Sequence, residues 1–358
     1  MDKLKVEGFF SPDRGEKKPD IPDNEIIAFS EFELIKHVGE HSTLKFTAPV
    51  KSSGLDSFKQ LAGHGITVSR SGDCIFRGVV KSVRADSGKS SCYISVSAVS
   101  WSASADEEAH TRIFRNENKT FKDILSSFEM NPGKKFSSCG AQKVSIECRD
   151  KAAADNRPFP VMQNNLTDIV FARNIAEYCS CRLWINDRDE TPSLLISEKS
   201  GSLELDENEI SYFAEESTMS GTRFFIETDR IIPMGTELSA NIHGVSNRLF
   251  KGIVTEMQAA YHAGVFTFTY TAEESRTARP CNLFYRLPPV TLTAEVTDNS
   301  DSEKKGRVAV SFEHSIAQEL LSDKSPMIPV SQLNLQGSSI TAKGSSEIAM
   351  KCNNIRLN

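Results

Sequence analysis

Two short stretches of the chain, IFRGVVKSV at residues 75–83 and LFKGIVTEM at 249–257, repeat one pattern of aromatic, basic residue, glycine and β-branched run. Phe76 and Phe250 are 174 positions apart (250 − 76). In both regions a strand-like segment and a polar turn precede the stretch. A second turn and a strongly alternating segment follow it, YISVSAVS at 93–100 and VFTFTYTA at 265–272. Matching elements in the same order predict an internal repeat.

The residues around each copy predict β-structure, and those between the copies predict a mixture of helices and strands. Residues 1–104 and 218–284 alternate polar and apolar side chains between short turns, which is typical of antiparallel strands. Residues 105–217 contain two helical patterns, KTFKDILSSF at 119–128, with Thr120 as a candidate N-cap, and LTDIVFARNIAEYCS at 166–180. We therefore predict a mainly β protein: two related antiparallel β-barrels separated by an inserted α/β segment.

The C-terminal part has a different pattern. FYRLPPV at 284–290 predicts a linker, and residues 291–313 predict a hairpin. Ile340, Ile348 and Ile355 then recur at spacings of 8 and 7, which favours short stacked strands. One chain is too short there to bury these isoleucines, so this segment would need partner copies.

Composition and motifs exclude several classes of function. The net charge of −6 and the lack of a basic patch argue against a nucleic-acid binder. No apolar run approaches the roughly 20 residues of a membrane helix, and we expect no signal peptide. The eight cysteines have no metal or disulfide spacing, and we expect them to be reduced. No nucleophile, phosphate-loop or histidine–metal motif is present, so we predict no catalytic residue, cofactor or metal site.

Three segments carry a resemblance to one family. TRIFRNENKTFKDIL (111–125) is similar to the "R-F-x-N-x-T-x-x-D-I" entry into an inserted domain. The 166–180 segment resembles a helix matched at Asp168, Phe171, Arg173, Ala176 and Glu177. VTDNSDSEKKGRVAVSF resembles the opening strands of an OB-fold, with Ser302 in place of the usual proline and matches at Val296, Asp298, Asp301, Glu303, Gly306, Arg307, Val308, Val310 and Phe312. The family is that of the hub-and-spike proteins of contractile injection machines: phage tail hubs and the valine-glycine-repeat (VgrG) spikes of type VI secretion.

This resemblance implies a structural protein that is not an enzyme. It implies a homotrimer that joins a hexameric inner tube to baseplate proteins and a membrane-piercing spike, with a separate tip protein as a further partner. The implied domains are a first hub barrel (1–104), an inserted α/β domain (105–217), a second hub barrel (218–284), an abridged OB-like spike base (285–335) and a short β-helical spike (336–358). We expect assembly in the cytoplasm, no membrane insertion before firing, and delivery to a target envelope on firing.

The repeat also supplies candidate assembly residues. Phe76 and Phe250 would fill the barrel interiors, and Gly78 and Gly252 would mark a bend or bulge. Arg77 and Lys251 would take equivalent outward positions, six in a trimer. The spike candidates are Gly306, Arg307, Ile340, Ile348 and Ile355. Two other classes stay open: a tail-associated cell-wall hydrolase or carbohydrate-binding adhesin, and an OB-fold oligonucleotide binder.

Overall fold

The computed structural model describes residues 4–9, 29–51, 55, 58, 61–88, 91–114, 120–126, 144–149, 161–189, 192–219, 221–242, 248–262, 265–274, 294–298, 307–312 and 327–329. The chain divides into two compact units. The larger contains Met1–Thr291 and His314–Leu320, and the smaller contains Leu292–Glu313 and Leu321–Asn358. The predicted linker at 284–290 and the residues Gly306, Ile340, Ile348 and Ile355 lie outside the described residues.

The first half of the larger unit is a set of six strands. They are β1 (Leu4–Phe9), β2 (Glu31–His37), β3 (Thr43–Val50), β4 (Gly65–Arg70), β5 (Asp73–Ser87) and β6 (Cys92–Ser100). The strands are hydrogen-bonded in the order β1-β4-β5-β6-β3-β2, and every pair is antiparallel. β2 and β3 alternate buried and more exposed residues, as strands with one covered face do.

The inserted segment follows a 3-10 turn at Trp101–Asp106. It comprises β7 (Ala109–Phe114), α1 (Phe121–Ser126), β8 (Ser145–Cys148), β9 (Val161–Thr167), α2 (Asp168–Tyr178), β10 (Arg182–Asn186) and β11 (Ser193–Ser197). Both predicted helices are present. Thr120 caps α1 by accepting a hydrogen bond from the backbone N–H of Asp123 at 3.2 Å. The inward faces of the two helices pack with β10 and β11 in a separate apolar core.

The second half repeats the first with six more strands. They are β12 (Gly201–Leu205), β13 (Ile210–Thr218), β14 (Gly221–Thr228), β15 (Thr236–Ile242), β16 (Arg248–His262) and β17 (Val265–Glu273). Their order, β13-β14-β17-β16-β15, matches β2-β3-β6-β5-β4 of the first half. The mainly β fold class with an inserted α/β segment is confirmed.

The two halves share one sheet and one core. β2 pairs with the C-terminal part of β16, from Glu256 opposite His37 to Tyr261 opposite Phe32. Apolar side chains from both halves form a single cluster in the interior. The guanidinium of Arg70, on β4, also donates to the carbonyl of Asp229 at 2.9 Å and lies 5.1 Å from the ring centre of Phe268. The sheet is therefore continuous through the junction between the halves.

The strand pairing differs from the predicted domain boundaries in one place. β12 pairs with β15 and β13 pairs with β14, so residues 201–218 are part of the second half of the sheet. The predicted boundaries put nearly all of these residues in the inserted domain. The five predicted domains stay predictions. The strand pairing favours a second half that begins near Gly201.

In the smaller unit the structure describes three short strands. They are β18 (Ala294–Asp298), β19 (Arg307–Phe312) and β20 (Met327–Pro329), in the order β18-β19-β20. β18 and β19 are antiparallel, with Ala294 opposite Phe312, which confirms the predicted hairpin. Arg307 opens β19 opposite Pro329.

Candidate functional site

The repeated stretches lie in two strands of equal length. β5 and β16 each have 15 residues. Equivalent residues of the two copies are 174 positions apart, and the residues with which they pair are also 174 positions apart. Val79 pairs with Val99, and Ile253 pairs with Glu273. The ladder shifts by one residue between Val80 and Ser82 in the first half and between Val254 and Glu256 in the second. A bulge at the same position in both copies shows that the repeat extends to the backbone.

The glycine of each repeat is closely packed, more tightly in the first copy than in the second. A methyl group on Gly78 would overlap the carbonyl oxygen of Val99 and the ring of Phe76. On Gly252 it would lie 3.2 Å from the carbonyl oxygen of Glu273 and 3.2 Å from the ring of Phe250. The bulge predicted at these glycines lies further along each strand, beyond Val80 and Val254. At Gly78 the neighbouring strand and Phe76 leave no room for a side chain, whereas at Gly252 a methyl group would require its neighbours to shift by a few tenths of an ångström.

The phenylalanines and the basic residues of the two copies have different environments. Phe76 and Phe250 are both buried. Arg77 is half-buried and donates from Nε to the carbonyl of Arg188 at 3.0 Å. Lys251 is exposed and pairs with the Glu237 carboxylate at 3.3 Å. Arg77 and Lys251 share a strand position, but Arg77 contacts the inserted domain.

A group of hydrogen bonds that the sequence does not predict joins the inserted domain to β5. The backbone N–H of Arg77 donates to the carbonyl of Asp187 at 2.8 Å, and Nε of Arg188 donates to the carbonyl of Cys74 at 2.8 Å. These contacts place the residues after β10 along the edge of the first repeat. We call the contacts of Cys74, Arg77, Asp187 and Arg188 the insert clasp.

A buried ion pair lies at the centre of this region. Lys36 is 4% exposed and Asp187 is 3% exposed, and the ammonium of Lys36 pairs with Oδ1 of Asp187. The same ammonium donates to the carbonyl of Ile75 at 2.8 Å. It thus joins β2, β5 and the inserted domain. The sequence contains one sign of this contact. Lys36 falls two residues after Leu34 and four after Phe32, at the alternating positions of β2 whose side chains face inward.

A second polar network lies where the chain enters the inserted domain. Nε2 of His41 contacts Oδ2 of Asp106 at 2.7 Å, and Nδ1 contacts the hydroxyl of Ser102 at 2.9 Å. Thr167, the N-cap of α2, donates its hydroxyl to the other carboxylate oxygen of Asp106. Burial alone would raise the pKa of the Asp106 carboxyl. Hydrogen bonds from His41 and Thr167, and the charges of His41 and Arg173, outweigh burial and hold that pKa below its ordinary value of 3.8.

This lowered pKa predicts an acid-sensitive contribution to stability. Because the folded-state pKa of Asp106 is below its unfolded value, its contribution is complete above the unfolded pKa and is lost as the pH falls through the folded pKa. Asp106→Asn should therefore lower the free energy of unfolding at pH 7 and flatten its decline below about pH 4. Urea titrations at pH 7, 5, 4 and 3 measure this. Equal slopes for the two proteins below pH 4 would contradict the prediction.

A cleft of about 760 Å³ opens beside the clasp, lined by Trp184, Arg188, Arg230 and Glu147, among others. Glu147 pairs with Arg149 at 2.9 Å, and this hydrogen bond lowers the pKa of its carboxyl. A general acid needs a raised pKa, so Glu147 is unsuited to that role. Within the described ranges, no group of three or more His, Cys, Asp or Glu side chains could hold a metal ion.

The cysteines and helices in the described ranges show no further site. Cys74 and Cys92 are free thiols. Of the close pair, Cys181 is buried and Cys179 is partly buried. None of the helices that the structure describes is long and apolar enough to cross a membrane.

Comparison with known proteins identifies the fold. No family model and no curated protein matches the sequence. Solved structures do match. One of them is c3393, an E. coli type VI secretion component that is described as structurally similar to the T4 bacteriophage tail proteins gp27 and gp5. It is 14% identical to this chain with a TM-score of 0.61, and the alignment covers 88% of this chain and 90% of that one. A tail protein of Neisseria meningitidis MC58 is 11% identical with a TM-score of 0.53, over 78% of this chain and 98% of that one.

A third structure, a Francisella PdpA–VgrG complex, aligns with 91% of this chain and 65% of its own chain, at 10% identity and a TM-score of 0.51. At these identities the likeness establishes the fold. It agrees with the family resemblance drawn from the three sequence segments. The chain has the fold shared by phage tail proteins and the VgrG-like proteins of type VI secretion.

Proposed function

We propose that this protein is the non-enzymatic central hub of a contractile, phage tail-like injection machine. The observation that carries the proposal is the repeat within the sheet, in which strand order, offset and bulge recur. A chain with two similar halves can form a trimer with approximate sixfold symmetry, which suits docking onto a hexameric tube. Relatives of the same fold are described as tail and type VI secretion proteins.

The finer parts of the proposal concern partners and domains. The larger unit would form the ring that contacts the inner tube and the baseplate, with the inserted domain attached through the insert clasp. The smaller unit would form the OB-like spike base, and residues 336–358 the short β-helical spike, capped by a separate tip protein. Assembly would take place in the cytoplasm, and the particle would carry the hub to the target envelope.

The test is the mass and the location of the protein. Static light scattering of the purified protein should give three times the mass of the chain. Electron microscopy of assembled particles should place the protein between the tube and the spike. Particles that assemble fully when the chain is deleted would overturn the proposed function. Turnover of peptidoglycan by the purified protein, abolished by one acidic substitution, would establish the hydrolase instead.

A further inference from the structure

The cleft beside the insert clasp is lined by two parts of the larger unit. The inserted domain contributes one face of its sheet, where Trp184 lies opposite Leu195 and Asn186 follows on the same side of β10. The second half contributes the start of β12, at Gly201–Leu203. The volume of about 760 Å³ is in the range of ligand-binding clefts. A ligand held there would contact both the insertion and the main sheet.

The cleft contains a hydrogen-bond acceptor that no described residue uses. Asp187 lines the cleft and is 3% exposed, and its Oδ1 receives the ammonium of Lys36. Its Oδ2 is buried and has no hydrogen-bond partner in the described part of the chain. A buried acceptor without a donor is costly, and an aspartate carboxyl rotates easily about its last bond, so this oxygen can turn to a donor in the cleft. Because Lys36 already balances the charge of Asp187, an uncharged N–H or O–H is the donor that fits.

The cleft also contains a positive charge without a carboxylate partner. Arg188 lines the cleft, and its Nε donates to the carbonyl of Cys74 at 2.8 Å, but it forms no ion pair with a described residue. The other described basic residues of the lining each pair with a carboxylate: Lys36, Arg149 and Arg230. Lys36 and Arg188 donate to consecutive carbonyls, those of Ile75 and Cys74, so the free acceptor and the unpaired cation lie near each other along β5.

We propose that this cleft binds the carboxy terminus of a peptide. The terminal carboxylate pairs with the guanidinium of Arg188, whose remaining N–H groups suit a carboxylate. The amide N–H of the last peptide residue donates to Oδ2 of Asp187. A ligand with one negative charge and an uncharged N–H matches both groups. A free amino acid matches them less well, because its ammonium meets a carboxylate whose charge Lys36 already balances.

The edge of β12 favours a peptide over an isolated acid. β12 pairs with β15 on one side, and its other edge pairs with no strand that the structure describes. Gly201–Leu203 of this strand line the cleft, and no atom lies within 4 Å of a carbon added to Gly201, so there is room beside the strand. Main-chain groups on such an edge bind an extended peptide as an added strand. The residues that precede the terminal one would pair there.

Titration calorimetry with four small ligands tests the ligand class: acetyl-trialanine, its C-terminal amide, N-acetylalanine and alanine. We expect acetyl-trialanine to bind about tenfold or more tightly than its amide, which lacks the charge-assisted pair. It should also bind more tightly than N-acetylalanine, which is too short to reach β12, and alanine should bind least of the three acids. Equal binding of acid and amide, or no binding by any ligand at millimolar concentration, would overturn the site. N-acetylalanine binding as tightly as acetyl-trialanine would overturn the peptide as the ligand.

Two further measurements place the ligand in the cleft. Arg188→Gln should reduce the binding of acetyl-trialanine to that of its amide, whereas Arg149→Gln, at an exposed and paired cation of the same cleft, should change it less than about twofold. Thiol labelling needs no substitution. Bound acetyl-trialanine should slow the reaction of iodoacetamide with Cys74, which lines the cleft, and leave the reaction of Cys92 unchanged. Unchanged labelling of Cys74, or equal slowing at both thiols, would overturn binding in this cleft.

Discussion

Lys36→Met should lower the free energy of unfolding by about 3–5 kcal/mol, the largest effect that we expect from a single substitution. The change removes the ammonium that pairs with Asp187 and donates to the carbonyl of Ile75, and it leaves the Asp187 carboxylate buried without its partner. An uncompensated buried charge is far more costly than the loss of an exposed pair. Urea unfolding followed by the fluorescence of Trp184, which is buried beside this region, measures the effect.

The exposed pair of Arg149 and Glu147 is the matched control. Their side chains are 54% and 58% exposed, so Arg149→Met should cost less than about 1 kcal/mol. Adding Asp187→Asn to Lys36→Met removes the stranded charge and should recover part of the loss. The prediction fails if Lys36→Met costs no more than Arg149→Met.

Gly78→Ala should be the second most damaging change, at about 3 kcal/mol, the upper end of the range for overpacking. The added methyl group would overlap a backbone oxygen of β6, which can move only by distorting the β5–β6 ladder. Gly252→Ala, at the equivalent position, meets its neighbours at 3.2 Å and should cost about 1 kcal/mol, since shifts of a few tenths of an ångström relieve the contact.

Gly201→Ala is the neutral control for this series, because no atom lies within 4 Å of the added carbon. The free energies of unfolding of the three variants should follow the order Gly78→Ala, Gly252→Ala, Gly201→Ala, with the first the least stable. Equal losses at Gly78 and Gly252 would contradict the difference in packing between the two copies.

Local patterns made much of the fold predictable from the sequence. The repeat, the two helices, the Thr120 cap and the β18–β19 hairpin each depend on residues close together in the chain, and each is present. The pairing of residues 201–218 was not foreseen. β12 pairs with β15 in parallel, so no short hairpin signal links it to the sheet. β13 pairs with β14 as a tight hairpin, with Thr218 opposite Gly221, and this hairpin was not recognised in the sequence.

The buried ion pair beside the insert clasp was not predictable for a different reason. Lys36 and Asp187 are 151 residues apart, and their contact arises only when the inserted domain folds against the sheet. Lysine and aspartate are common on surfaces, so composition and spacing do not distinguish this pair from solvated residues. The inward period of β2 marks Lys36 as unusual, but nothing in the sequence near Asp187 identifies its partner.

The insert clasp also limits how a sixfold-symmetric neighbour could recognise this protein. At the position of Arg77 and Lys251, one copy of the repeat is covered by the inserted domain and the other is open to solvent. A tube subunit that contacted this position would meet two chemically different surfaces in alternation around a ring. In the proposed hub, uniform contact with six tube subunits would therefore depend on surface positions that the insertion leaves alike in both halves.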